Sequence, residues 1–306
     1  MISLILTQKI LSLYVILLMG FLLVRMGLLK SEDSRVLSAI TLWLVSPCNI
    51  LTAFEVDVTP EVVSGLALAF LAAALIHVLL LLLNIPMKKL GMDAVERVSV
   101  IYSNAGNLVI PLVTSLFRQE WVIYCCGFMS VQLFFIWSHG KSAVCGELKP
   151  DIRKVLTSVN MISVFAGFAI FLSGFRFPAF LQDSMESVSK LMGPFAMLVT
   201  GMLIGGRPLK ELLRYPRMPL VVCLRLIAVP LIVVCLLKFT PLAGMSPNGH
   251  TVLMISLIAA MTPSASTVTQ MCVYYQRDAG YASAINVFTT LCCILTMPVM
   301  LWLYQL

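Results

Sequence analysis

Two short polar runs, set inside apolar sequence, hold the groups best suited to chemistry in this chain. The first is Asn104, Ala105, Gly106 and Asn107, followed by Pro111; the second is Thr262, Pro263, Ser264, Ala265, Ser266 and Thr267. Neither run contains an acid, a base or a thiol. Their amides, hydroxyls and carbonyls suit noncovalent binding of a small polar molecule. Proline has no amide hydrogen, so Pro111 takes the helical partner from the Asn107 carbonyl, and Pro263 does the same to Ala259. Carbonyls freed in this way can hold a cation or a water. Thr262 and Pro263 also have the form of a helix start, with Thr as N-cap and Pro at the first helical position. A half-helix beginning at each run aims its N-terminal amides and partial positive charge at that run, which suits a small carboxylate.

Composition decides what must position these runs. The 306 residues are 60% hydrophobic and only 11% charged, with a mean hydropathy of +0.99. Soluble domains are nearer a quarter charged, so a soluble fold of this length has too little polar surface to wet itself. Disorder, collagen and a basic nucleic-acid-binding domain are excluded by the same numbers. The reading is an all-α polytopic membrane protein. A helix needs about 20 mostly apolar residues to span the hydrocarbon core. Ten stretches qualify: 6–28, 36–54, 62–84, 94–117, 120–140, 154–174, 180–206, 216–237, 250–274 and 279–304. The first is long, lacks a small-residue cleavage site and ends in Arg25 and Lys30, so it reads as a retained helix and not a signal peptide.

Charge gives the orientation. The connections after spans 1, 3, 5, 7 and 9, with their flanks, carry sixteen of the 21 basic residues, Arg225 counted among them. The opposite side holds Lys9, Arg118, Arg176, Lys190 and Lys238. Because Lys and Arg set topology, the richer side is expected in the cytoplasm and both termini outside a cell membrane. No acid or base falls within the central two turns of any span. Arg225 is expected to snorkel to the cytoplasmic interface, with an access-path contact for an anion as its functional alternative. His77 is the most central ionisable group and reads as a neutral, packed histidine bonded to a backbone carbonyl. The nine cysteines form no metal or disulfide pattern and read as small hydrophobes. There is no P-loop, and no cofactor is implied.

Halving the chain near residue 148 leaves five spans on each side. An odd number per half makes equivalent spans run in opposite directions, the arithmetic of an inverted repeat over 1–146 and 150–306. Local features pair up accordingly: Ser46-Pro47 in span 2 with Gly193-Pro194 in span 7, and the polar runs of spans 4 and 9 with each other. Paired, interrupted helices are the best sequence pointer to a transporter binding site.

These residues resemble the auxin efflux carrier family, which includes plant auxin exporters and bacterial organic-acid permeases. The resemblance lies in Asn104 through Pro111-Leu112, in Met261-Thr262-Pro263-Ser264, in Tyr275-Gln276-Arg277-Asp278 at the end of span 9, and in Thr296-Met297-Pro298. It covers the whole chain in span number and motif position. Val109 and Thr262 depart from many bacterial relatives, which carry Gly and Pro there. The resemblance implies two inverted five-helix repeats with spans 4 and 9 broken and crossing at mid-membrane. It also implies a scaffold of spans 1, 2, 6 and 7, an elevator-like movement of the other spans, and a homodimer through the scaffold. It assigns Asn104, Pro111 and Pro263 to the substrate site. The local polarity adds Asn107, Ser264, Ser266 and Thr267, and Pro47 and Asn49 are expected to complete the pocket from span 2.

The function expected is a secondary transporter for a small organic anion such as a carboxylate. Its partners are that substrate and the lipid bilayer, with no nucleic acid and no catalytic residue. The alternatives are a membrane-embedded acyl or lipid transferase, for which His139, Lys141, Cys145 and Glu147 are the only candidate cluster, and a sensory protein on a transporter fold.

Overall fold

Lipid leaves backbone groups no partner but each other, so apolar runs of spanning length fold as helices. The structure, a computed structural model, describes residues 2–146, 153, 156–206 and 215–306, without the side chains of 2–7, 9, 10, 107 and 115. In chain order the helices are α1 (Ile2–Arg25), α2 (Ser31–Ala53), α3 (Pro60–Lys89), α4 (Ala94–Ile101), α5 (Ala105–Leu116), α6 (Gln119–Cys145), α7 (Val159–Ser173), α8 (Ala179–Gly205), α9 (Met218–Phe239), α10 (Gly249–Met261), α11 (Ser266–Tyr274) and α12 (Ala279–Gln305). Among the described residues six of them, α2, α3, α6, α8, α9 and α12, are long and apolar enough to cross a membrane unaided; Leu11–Arg25 of α1, with α7 and α10, adds shorter apolar stretches. The protein is a multi-pass, all-helical membrane protein, with no named strand among the described residues.

Local sequence sets the helix ends. Thr59 caps α3, accepting from the Val62 amide at 3.3 Å, with Pro60 in the first turn. Asp93 and Glu96 form a reciprocal capping box at α4, at 2.8 and 2.9 Å. Asp278 caps α12 through the Tyr281 amide at 2.8 Å. Short π-helical turns interrupt α2 at Thr41–Val45, α6 at Ile136–Gly140 and α9 at Leu224–Ala228. Such wide turns let a helix absorb a following proline or re-aim a side chain. Pro47 follows the first of them and Pro230 the last.

Small residues bring the helices together. A Cβ on Gly201 of α8 would lie 1.9 Å from the Leu17 carbonyl oxygen of α1, and one on Gly20 would lie 2.5 Å from that of Leu198. Backbones touch there because each helix sets a glycine against the main chain of the other. Phe54, the residue that ends α2, seats against Gly167 of α7 and packs on Phe168 at 4.9 Å between ring centres. The helices α1, α2, α7 and α8 thus pair with one another. A second group, α3, α6, α9 and α12, packs around the broken runs α4–α5 and α10–α11, where the buried core is concentrated.

Two expectations about the breaks need correction. The first break lies at 102–104, and α5 runs unbroken through Pro111. The second occupies 262–265: Thr262 ends α10 with φ −63° and ψ 160°, and the next helix starts at Ser266. Thr262-Pro263 is therefore the end of one half-helix and not the start of the next. In each case the break sits where its backbone can pair with the other break, and a proline inside a membrane helix is accommodated by its neighbours.

Candidate substrate site

Non-helical backbone at membrane depth must find partners inside the protein. Here the two breaks find each other. The Asn104 amide donates to the Pro263 carbonyl at 2.8 Å and the Ala265 amide to the Tyr102 carbonyl at 3.0 Å, placing Ser103 and Ser264 in an antiparallel bridge. Each serine is then gripped from another helix. Gln132 of α6 accepts from the Ser103 amide (3.1 Å) and hydroxyl (2.6 Å) and donates to its carbonyl (2.8 Å). On α12, Thr289 accepts from the Ser264 amide at 3.1 Å and Asn286 donates to the Ser264 carbonyl at 2.6 Å.

Arg225 lies beneath this crossover, and its placement overturns the expectation that it snorkels. It is 0% exposed. Its guanidinium donates to Val100 at the end of α4 (2.9 Å), to Ala260 (2.5 Å), and twice to Thr262 (2.6 and 3.1 Å) at the end of α10. The π turn Leu224–Ala228 carries it inward. The Thr262 hydroxyl donates to the Ala259 carbonyl at 3.0 Å. The carbonyls that the sequence offers to a cation or a water around Pro263 are thus taken by the protein's own donors.

Above the crossover opens a cavity of about 440 Å³. Asn104, Gly106, Ala265, Ser266 and Thr267 bring the first turns of α5 and α11 to its wall. First-turn amides have no intrahelical acceptor and carry the positive end of the helix dipole. Ser46, Asn160, Thr200, Gln132, Gln270 and Asn286 add neutral polar groups, and Met, Leu and Val side chains supply an apolar wall. Among the described residues no acid, base or histidine lines it. Its lining residues on α2 fall between Ser38 and Ser46, those on α7 in the first half of the helix, Asn286 in the first third of α12, and those on α8 from its midpoint onward.

The expected site residues divide. Asn104, Ser266 and Thr267 line the cavity, and the Ser266 hydroxyl donates to Asn104 Oδ1 at 3.5 Å. Pro263 and Ser264 build the crossover without reaching the cavity wall. Pro111, Pro47 and Asn49 do not line it either. Pro111 faces Gly193, whose added Cβ would meet the proline ring at 3.1 Å. Asn49 is buried, donating to the Ser189 carbonyl and accepting from Gln119, both at 3.4 Å. The Asn107 side chain lies outside the described residues. His77 is fully buried, with Nδ1 2.7 Å from the Ala73 carbonyl, as expected of a packed histidine. His139 meets the Tyr102 hydroxyl at 3.0 Å and Asn84 at 3.1 Å; Glu147 of the expected cluster is outside the described residues.

The family model described as a membrane transport protein matches residues 5–144 and 147–301, nearly the whole chain. The chain belongs to that family, the auxin efflux carrier type. No curated protein matches it significantly. In this carrier the motif residues at 275–278 have structural work: Tyr275 ends α11, Arg277 donates to the Val144 carbonyl at 2.8 Å, and Asp278 caps α12. The residues that sequence reasoning missed are Gln132, Asn160, Gln270, Asn286 and Thr289. Gln132 offers a signal, as the one side-chain amide in the apolar run 121–137; Asn160, Gln270, Asn286 and Thr289 stand among other Ser and Thr residues and give none.

Proposed function

We propose that this membrane transport protein is a secondary carrier for a small organic anion, such as a carboxylate, working by alternating access without covalent chemistry. The observation that carries this reading is the pair of half-helix N-termini held at the crossover and opening on a neutral polar cavity. An anionic group is favoured where two positive dipole ends converge away from water, and the neutral hydroxyls and amides fix its orientation. Asn104, Ser266 and Thr267 would touch the substrate, and Pro263 and Ser264 would hold the crossover in shape. Pro111, Pro47 and Asn49 are assigned to the closed side of the pathway.

In the same reading ten spans form two inverted five-helix repeats, 1–146 and 150–306, with α1, α2, α7 and α8 as scaffold. The remaining helices would carry the crossover across the membrane as an elevator, in a homodimer joined through the scaffold. With the basic loops in the cytoplasm of the cell and both termini outside, the cavity faces inward. Contact of Pro111 with Gly193 and of Gln119 with Asn49 then closes the outer side. An inside-negative potential favours outward movement of an anion, so export needs no coupling ion.

The test is uptake into proteoliposomes of labelled mono- and dicarboxylates, with and without a potential or cation gradient. Transport of at least one carboxylate is expected, with loss of at least about tenfold in Asn104→Leu. Uptake of only neutral or cationic solutes would sink the anion reading.

A further inference from the structure

The geometry points to Arg225 as a specificity-determining residue: its charge makes the crossover net positive, so that the site selects a carboxylate over the matching neutral amide. This rests on the anion-carrier reading above and adds the residue that sets the sign of selection.

A guanidinium buried among membrane helices is costly unless compensated, and such a group points to a functional site. Arg225 is 0% exposed and is bonded to carbonyl oxygens alone; among the described residues no carboxylate pairs with it. Satisfying free carbonyls does not by itself demand a charge. At this same crossover, neutral donors serve three others: the Thr262 hydroxyl for Ala259, Gln132 for Ser103 and Asn286 for Ser264. At the crossover, among the described residues, a cation serves only where two half-helices end together.

The sign of the field follows from the helix ends. Each end carries roughly half an elementary charge, positive at the N-terminus and negative at the C-terminus. The N-termini of α5 and α11 flank the crossover, as do the C-termini of α4 and α10. Their dipoles sum to about zero. Arg225 adds a full positive charge on the C-terminal side, while the cavity wall supplies none. Arginine suits the place because its rigid fork of five N–H groups reaches two helix ends together, which a single ammonium cannot do.

The experiment compares benzoate with benzamide, a charged and a neutral probe of the same shape. Each competes with uptake of a labelled carboxylate by the full-length protein in proteoliposomes, and each is measured for binding by thermal shift of the purified protein. Wild type is expected to prefer benzoate. Arg225→Gln keeps donors without charge and is expected to lose about tenfold of that preference. Arg225→Lys keeps charge with fewer bonds and is expected to stay within about threefold of wild type. The ratio of the two probes is insensitive to a general loss of stability, which moves both together. A folded Arg225→Gln with the wild-type preference overturns the inference, as does a folded Arg225→Lys without it. If Arg225→Gln does not fold, Arg225→Lys still decides. Absence of any carboxylate transport or binding in wild type instead overturns the anion-carrier reading itself.

Discussion

Ser103 and Ser264 pair as an antiparallel bridge at the crossing of two broken helices, and each is held from behind by a polar side chain of another helix. Gln132 serves Ser103 from α6, and Asn286 with Thr289 serves Ser264 from α12. Main-chain groups that would otherwise be stranded in lipid are thereby satisfied. The crossing is consequently fixed to its neighbours, so that α5 and α11 keep their N-termini together.

Gln132 makes three bonds to one buried serine, at 2.6, 2.8 and 3.1 Å. Gln132→Leu strands the amide, hydroxyl and carbonyl of Ser103, and each orphaned buried group costs about 1–3 kcal/mol. A loss of at least about 2 kcal/mol is expected, measured by thermal unfolding in detergent. The neighbouring Ser130 donates only to Cys126 of its own helix. Ser130→Ala should stay within about 0.5 kcal/mol, the usual range for substitutions that strand nothing. Equal stability of the two variants would show that Gln132 does not hold the break.

Gly193 of α8 lies against Pro111 of α5, with Leu13 beside it; an added Cβ would meet them at 3.1 and 3.4 Å. Gly193→Leu should therefore push α5 from α8 and open the side of the pathway opposite the cavity. Ser189, buried nearby on α8, provides the reporter. With all nine native cysteines replaced, Ser189→Cys should react slowly with a membrane-impermeant thiol reagent. The additional Gly193→Leu change should speed that reaction by about tenfold, corresponding to about 1.4 kcal/mol of population shift. An unchanged rate would assign closure to other contacts.

Much of this architecture is legible in the sequence because a bilayer demands long apolar runs, and helices lie where those runs do. The two breaks are legible from polarity. Their boundaries are not, because the Tyr102 carbonyl accepts from Ala265 and the Pro263 carbonyl from Asn104, each in the opposite half of the chain. Prolines are poor guides for the same reason: Pro111 stays helical once its neighbours accommodate it. The short distance of Arg225 from a span end predicts snorkelling, whereas the carbonyl ends of α4 and α10 hold it inside. Gln132 stands out as a lone amide, but its place at the site, like that of Asn160 and Asn286, is not legible, because these residues lie on helices outside the two polar runs and only the packing brings them to the crossover and its cavity.

Backbone contact between α1 and α8 depends on the absence of side chains. A Cβ on Gly201 would sit 1.9 Å from a carbonyl oxygen and 2.8 Å from the Phe21 nitrogen, neither of which can rotate away. Gly201→Val is expected to cost at least about 3 kcal/mol, the upper part of the usual range for overpacking. Recovery of folded protein after membrane extraction should fall accordingly. Gly244 provides the control, since nothing lies within 4 Å of its added Cβ. Gly244→Ala should leave yield and melting temperature unchanged. Normal recovery of Gly201→Val would mean that α1 and α8 can separate without loss.

Thr262 ends α10 just before Pro263, and its hydroxyl supplies a donor where Pro263 has none. It donates to the Ala259 carbonyl at 3.0 Å, the group left without a helical partner by Pro263. Thr262→Val keeps the shape and removes the donor; Thr262→Ser keeps the donor and removes a methyl. If the hydroxyl matters, the valine variant should lose about 1–3 kcal/mol, the cost of one orphaned buried carbonyl. The serine variant should lose about 1 kcal/mol or less, in line with one buried methyl group. Both keep the Thr262 main-chain carbonyl that receives Arg225, so the choice between benzoate and benzamide should be unaffected in either. A serine variant as unstable as the valine variant would place the role of Thr262 in packing and not in its hydrogen bond.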